Sequence, residues 1–277
     1  GETAISQIPV EEFQKRLGLK IPALTGKESV VSEPSSNIPA APASLDWRNN
    51  GGNYVTPIRD QGQCGSCWAF ATTAGLESAT LIANRTPGLD LNVAEQILVS
   101  CSGAGDCEMG GYVQSASDYL RDTGLPLEGY YRYTATDGNC GEACPSWRSS
   151  PPYKIKSWSY AATTSPTVNG LKNALTSYGP LPTTFMVYDD FRYYQGGVYA
   201  YTGGAFLGGH AVLLVGYDDP GQYFIVKNSW GPDWGESGYF RIAYSQLNTV
   251  VNFGDYTLAY VGIAAAQQAV NVSAANY

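Results

Sequence analysis

The chain has 277 residues, 44% hydrophobic and only 14% charged, enough to bury one large core or two modest ones and too apolar for a disordered chain or a coiled coil. Its 16 basic and 24 acidic side chains leave a formal charge of −8, so there is no basic footprint for nucleic acid or for an anionic membrane surface. No apolar run approaches the roughly 18 residues of a spanning helix, so no membrane span is expected.

Residues 1–44 differ from the rest. Gly1-Glu2-Thr3-Ala4 has neither a basic n-region nor an apolar h-region, so any export signal is expected to have been removed. Pro9 to Gly18 reads as one short helix, acidic at its start and basic at its end. The Ser/Pro/Ala/Asn-rich stretch from Glu28 to Ala43 cannot pack a core of its own and reads as an extended arm lying on something else. From Leu45 the sequence becomes globular. Cys67 to about Asn84 reads as a long, largely buried helix, with Phe70, Ala74, Leu76, Leu81 and Ile82 as apolar positions and no internal Pro. Asn92-Val93-Ala94-Glu95 reads as a capping-box start for a second helix, Gln96 to Ser100. Gly111 to Asp122 carries Tyr112, Val113, Ala116, Tyr119 and Leu120 on one face and stops at Gly124. Helix also fits Thr167 to Tyr178, stopped by Gly179-Pro180. Beyond Pro180 the character turns to β: His210 to Tyr217 is a buried strand, Asp218 to Gly221 a turn, and Gln222 to Lys227 and Gly238 to Tyr244 further strands. The tail, Ala264 to Tyr277, reads as a tether or fraying end. Helices followed by strands argue an α+β protein of two subdomains with a cleft between them.

Two counts carry the chemistry: six Cys and one His. Six Cys fit an exported protein with a few bridges. Gln61-Gly62-Gln63-Cys64-Gly65-Ser66-Cys67-Trp68 places Cys67 where the long helix begins, and backbone N–H groups and the helix dipole there favour a thiolate. A Cys-x-x-Cys could also be a redox pair, but the surrounding βαβ pattern is missing, or half of a zinc site completed by Cys101 and Cys107. Structural roles for both Cys are the plain alternative. A thiol nucleophile needs a base, and an imidazole is the natural one; His210 is the only choice. Asn228 lies just past the next strand, across the Asp218–Gly221 hairpin, where it can orient the ring without neutralising an imidazolium. Gln61 can donate to an oxyanion, with the Cys67 N–H as second donor.

Cys64-Gly65-Ser66-Cys67-Trp68 resembles the signature of the papain/cathepsin family of cysteine peptidases. Asp46-Trp47-Arg48, Pro57 to Gly62, Cys107-Glu108-Met109-Gly110-Gly111, Gly209-His210-Ala211-Val212, Lys227 to Gly231 and Trp234 to Tyr239 resemble further family motifs in family order, over about residues 45–262. The resemblance implies a papain-like α+β fold, with a helical left subdomain (mainly 60–160) and a β-barrel-like right one (mainly 161–262). It implies endopeptidase action, with Cys67 and His210 resting as an ion pair, Asn228 orienting and Trp230 shielding their hydrogen bond. It implies bridges Cys64–Cys107 and Cys101–Cys140, leaving Cys144 odd, although Cys101–Cys144 stays open. Tyr112, Thr184 and Gly208 would line the main specificity pocket, with its far wall near Tyr256 to Ala259; Gly110, Gly111 and Gly209 would lend backbone groups to the substrate. No metal or cofactor is implied. The implied partners are peptide or protein substrates and the chain's own N-terminal arm, a propeptide-like segment lying over the cleft of a monomer. The implied location is secreted, or another oxidising or lytic compartment. An inactive peptide-binding relative, a Cys-rich zinc or redox module, and an acyl transferase using the same acyl-enzyme are the rival readings.

Overall fold

The computed structural model describes residues 3–31, 40–149 and 152–264. The tail beyond 264 and the middle of the arm lie outside the described residues. In chain order the elements are α1 (Val10–Gln14), β1 (Ser44–Asp46), α2 (Cys67–Asn84), α3 (Glu95–Cys101), β2 (Gly105–Asp106), β3 (Gly110–Gly111), α4 (Val113–Asp122), β4 (Ile155–Ala162), α5 (Val168–Tyr178), β5 (Leu181–Tyr188), β6 (Val198–Tyr199), β7 (Phe206–Asp218), β8 (Tyr223–Lys227), β9 (Tyr239–Ala243) and β10 (Thr257–Ile263).

α2 is the spine. Nearly every side chain of its first four turns is buried, as expected of a helix covered on all sides. Arg85 closes it in a left-handed conformation, with its N–H returned to Ile82 and Leu81. One core gathers around α2, α3, α4 and the facing sides of β4 and β10. A second, rich in aromatic rings, fills the six-stranded sheet in which β7 pairs with β1, β5 and β8. β4 and β10 form their own antiparallel pair, and Leu258 and Ala259 of β10 face different cores. Cys64–Cys107 and Cys101–Cys140 are bridged, and Cys67 and Cys144 are free.

Several boundaries differ from the sequence reading for physical reasons. The expected helix over Pro9 to Gly18 stops at Gln14: the Arg16 and Leu17 N–H groups reach back only three residues, to Phe13 and Gln14, and from there the Arg16 carbonyl and the Leu19 N–H bond to the body. α3 begins at Glu95 with Ala94 before it, and no capping box forms at Asn92. Val93 is drawn into a bridge with Leu127, and its N–H donates to the Glu77 carboxylate. Gly208 and Gly209 lie within β7, opposite Val187 and Met186, and not in a loop. Residues 42–44, expected in the arm, belong to the body: Ser44 pairs with Asp218, and Pro42 and Ala43 accept from Tyr217 and Asp219.

Gly75, in the middle of α2, is where the helix crosses both sheets. A Cβ there would stand 2.8 Å from Pro182 Cγ and 3.0 Å from the Tyr260 ring. Overpacking of this kind costs about 1–3 kcal/mol, against roughly 1 kcal/mol that Ala gains over Gly within a helix. Gly75→Ala is therefore expected to lose on the order of 1 kcal/mol, read as a lower urea midpoint at unchanged slope; a raised midpoint would show that the crossing is loose.

Candidate active site

The loop 61–66 delivers Cys67 to the start of α2, facing β7. Its middle is pinned by the Cys64–Cys107 bridge and by the Gly65 N–H donating to Cys107 O at 2.8 Å. Gln61 is fully buried, and its amide is oriented from both ends. Ser229 Oγ donates to Gln61 Oε1 at 2.7 Å, so Nε2 must face the cleft. There Nε2 donates to Cys64 O and to Arg16 O, both at 2.9 Å.

His210, in β7, and Asn228, just beyond β8, meet at 2.8 Å between Nε2 and Oδ1. That oxygen also accepts the Ser229 N–H at 2.9 Å. An amide oxygen can only accept, so His210 Nε2 carries the hydrogen and Nδ1 is left as the basic nitrogen, without a hydrogen-bond partner among the described residues. Trp230 lies 4.7 Å from the His210 ring, centroid to centroid, and covers it. Cys67, His210, Asn228, Gln61 and Trp230 thus lie in one place.

The arm passes directly over them. Phe13 meets Trp230 edge-on at 5.2 Å. Arg192 of the body donates to the Ser6 and Ile8 carbonyls and lies 5.3 Å from the Phe13 ring centroid. Arg16 pairs with Asp60 at 3.2 Å. The Leu19 N–H donates to Gly209 O at 3.2 Å, Gly111 N–H to Gly18 O at 2.8 Å, and Lys20 N–H to Gly111 O at 2.9 Å. Leu19 and Gly111 are paired parallel. Lys20 Nζ lies 5.8 Å from the Tyr112 ring centroid, and Leu17 packs on Gly208. Gly18 is forced by this close approach: a Cβ would stand 1.8 Å from Gly65 O and 2.1 Å is already the gap from a Gly110 Cβ to Gly18 O. Thr184 is fully buried, and its hydroxyl is committed to Asp255 O at 2.7 Å, so it offers wall and no polarity.

Burial decides the charges. It pushes the Cys67 thiol up to about 11, with the N–H groups of Ala211, Gly18, Trp68 and Cys67 itself pulling weakly the other way. It pushes the His210 imidazole down to about 4, against the Asn228 hydrogen bond that favours the cation. Burial beneath the arm thus works against the expected resting ion pair, favouring the neutral thiol and the neutral imidazole. Two of the arm's carboxylates are held within the arm itself. Glu12 pairs with Lys15 of the arm, and Glu28 is held low by the arm's own Thr25 and Gly26. The ion pair that crosses from arm to body joins Arg16 to Asp60. Ser229, Arg16 and Gly18 acquire their roles only through tertiary contact. Ser229 stood inside a quoted motif, which was the one available signal.

Residues 41–257 match the family described as papain family cysteine protease. The chain is 38% identical over 238 residues to a cathepsin B-like protein, CP3, of Giardia intestinalis, covering 81% of this chain and 77% of that one. It is 36% identical over 266 residues to digestive cysteine proteinase 2 of Homarus americanus, covering 90% and 75%. The digestive procathepsin L2 proteinase of Tenebrio molitor larval midgut has a similar structure, with a TM-score of 0.77 at 32% identity, covering 94% of this chain and 83% of that one. The chain belongs to the papain family of cysteine proteases. It has the papain-like α+β fold and is a cysteine endopeptidase.

A single histidine makes the charge state of the site directly readable. His210 binds fewer protons folded than unfolded between about pH 4 and its ordinary 6.5. Its contribution to the arm-covered fold is thus fully present above 6.5 and lost as pH falls towards 4. The imidazole resonance of the full chain is expected to stay neutral well below pH 6. An NMR titration midpoint at or above 6.5 would show that the arm leaves the ring wet.

Proposed function

We propose that Cys67 is the nucleophile, His210 its acid/base partner, Asn228 the orienting group, and Gln61 with the Cys67 N–H the oxyanion donors. With the cleft uncovered, the Cys67 thiol proton passes to His210 Nδ1, the sulfur attacks a peptide carbonyl carbon, and the carbonyl oxygen, now negative, is held by the two donors. His210 gives its proton to the leaving amine as the C–N bond breaks. It then takes a proton from water, whose oxygen displaces sulfur from the thioacyl group and releases the acid. The observation that carries this reading is the Arg16 carbonyl, 2.9 Å from Gln61 Nε2: a peptide oxygen already occupies the place assigned to the oxyanion. Gly111, Gly209 and Tyr112, which meet Leu19 and Lys20 of the arm, and Gly110, which meets Gly18, supply the backbone edge and pocket for an apolar or aromatic substrate side chain. The two bridges, and relatives described as digestive, support an exported or lytic setting.

Cys67→Ala and His210→Ala are expected to abolish hydrolysis of a fluorogenic peptide without unfolding. Asn228→Ala should retain activity lowered on the order of 10²-fold, within the range of positioned acid–base catalysis. Full activity of a folded His210→Ala chain would sink the scheme, because no second His can substitute. Mass spectrometry of a long peptide should show internal cleavages rather than stepwise trimming from its C-terminus.

The arm is read as a tethered block of its own cleft, laid parallel to Gly111 where the family's substrates run the other way. Gly18→Val, or removal of residues 1–39, should raise the rate on small peptides. A free peptide of the arm should inhibit roughly 10²-fold or more weakly than the tethered arm, because tethering supplies effective concentration. Unchanged catalytic efficiency on small and large substrates after the arm is removed would show that the arm is no gate.

A further inference from the structure

We propose that Tyr133 is a positioning residue for the oxyanion site, one phenol setting the place of both donors. The inference rests on Gln61 and the Cys67 N–H being those donors. Each stands at one end of the loop 61–66, and Tyr133 closes that loop across its mouth. The Tyr133 hydroxyl donates to Gln61 O at 2.7 Å. It also lies 2.6 Å from Ser66 Oγ. A phenol has one proton, and the carbonyl takes it, so the Ser66 hydroxyl must donate to the phenol oxygen. Ser66 is buried and immediately precedes Cys67, at the head of α2. The bridge therefore ties the backbone that carries the Gln61 amide to the residue that aims the Cys67 N–H.

Tyr133 is itself held. Its N–H donates to Glu128 Oε1 at 2.7 Å. Its ring meets Phe70, in the first turn of α2, edge-on at 4.8 Å and 88°. Burial raises the phenol's pKa, so it keeps its proton and stays a donor throughout the working range. An oxyanion site gains from donors fixed before charge develops, since a donor that must reorient stabilises the transition state less. The Cys64–Cys107 bridge and the Gly65 N–H bond hold the loop's middle, and the Gln61 N–H donating to Ser229 O at 2.9 Å ties its first residue to the other half; the Tyr133 hydroxyl is what joins the loop's two ends to each other.

The test uses the full chain at its plateau of activity on a fluorogenic peptide amide. Tyr133→Phe keeps the ring and its contact with Phe70 and removes only the bridge. It is expected to lower kcat about tenfold, less than the 10²–10³ of losing a donor outright, with KM changed less than about twofold. A peptide aldehyde, whose adduct with the thiol places an oxyanion on the same donors, should bind about tenfold more weakly. Alkylation of Cys67 by iodoacetamide forms no oxyanion, so its rate and pH profile should not move; peptide mapping separates it from alkylation at the exposed Cys144. Ser66→Ala breaks the same bridge from the other side and should repeat the pattern. Gln61→Ala should lower kcat by about 10²-fold or more, and adding Tyr133→Phe to it should cost less than about a further twofold. If Gln61→Ala leaves turnover and aldehyde binding intact, the oxyanion assignment itself fails and the inference falls with it. If Gln61→Ala acts as expected while Tyr133→Phe leaves aldehyde binding unchanged, or slows turnover and alkylation equally, Tyr133 only packs and the proposal is overturned.

Discussion

A thiol and an imidazole can carry opposite charges in this cleft only if water or each other's charge supports them. The arm removes the water. Cys67 and His210 are fully buried beneath residues 16–19, and burial favours the neutral form of each. Blockage and desolvation are thus one event. The segment that denies substrate access to Gln61 and Gly111 also takes away the solvation that an ion pair needs. Exposure of the cleft returns both together, and an unperturbed thiol beside an imidazolium at a helix N-terminus then has every reason to ionise.

The same constraint operates one layer deeper. Behind Asn228 and Ser229 lie Glu77, Glu95, Arg59 and Lys227, enclosed between α2, α3 and the end of β8. Thr56 relays between them: its hydroxyl donates to Glu77 at 2.5 Å and accepts from Lys227 Nζ at 3.0 Å. Glu128 joins from the loop that carries Tyr133, and desolvation pushes it up to about 7; desolvation likewise lowers Lys227 to about 8. Arg59 also pairs with Asp90 at 2.6 Å, and desolvation raises both Glu77 and Glu95 above the ordinary carboxylate range. The members of this cluster come from both halves. The relay fastens the end of β8 to α2, and the residue following Lys227 is Asn228. The distance from nucleophile helix to orienting amide is therefore set by charge as well as by packing.

Much of this was legible in the sequence where local rules and tertiary needs agree. α2, α4 and α5 follow apolar spacing, and Thr167 caps α5 by accepting the Gly170 N–H. β7, β8 and their turn follow from an apolar run and Asp218, whose carboxylate takes the Gly221 N–H. β4 was not legible. Ile155 to Ala162 alternates poorly, because part of it faces solvent and its pairing partner, β10, lies far along the chain. The false capping box at Asn92 shows the converse: a local signal lost to the bridge between Val93 and Leu127 and to the Glu77 carboxylate. Motif spacing named Cys67, His210, Asn228 and Gln61. It could not name Tyr133, Ser229 or Gly18, whose meaning lies in what the fold sets beside them.

The arm's grip explains what acid can and cannot do. Most of it is uncharged: backbone pairing at Leu19 and Lys20, the Arg16 carbonyl on Gln61, and Phe13 on Trp230. Such contacts do not titrate. The arm's own carboxylates at Glu12 and Glu28 are satisfied within the arm, so protonating them loosens the segment rather than its docking. Beneath the arm, burial lowers His210 and raises Cys67, which favours the proton on sulfur. Uncovering the cleft lets that proton pass from Cys67 to His210, which changes where it sits and not how many are bound. Acid gains no hold on the arm through such an internal transfer, so the uncharged contacts are what release must break.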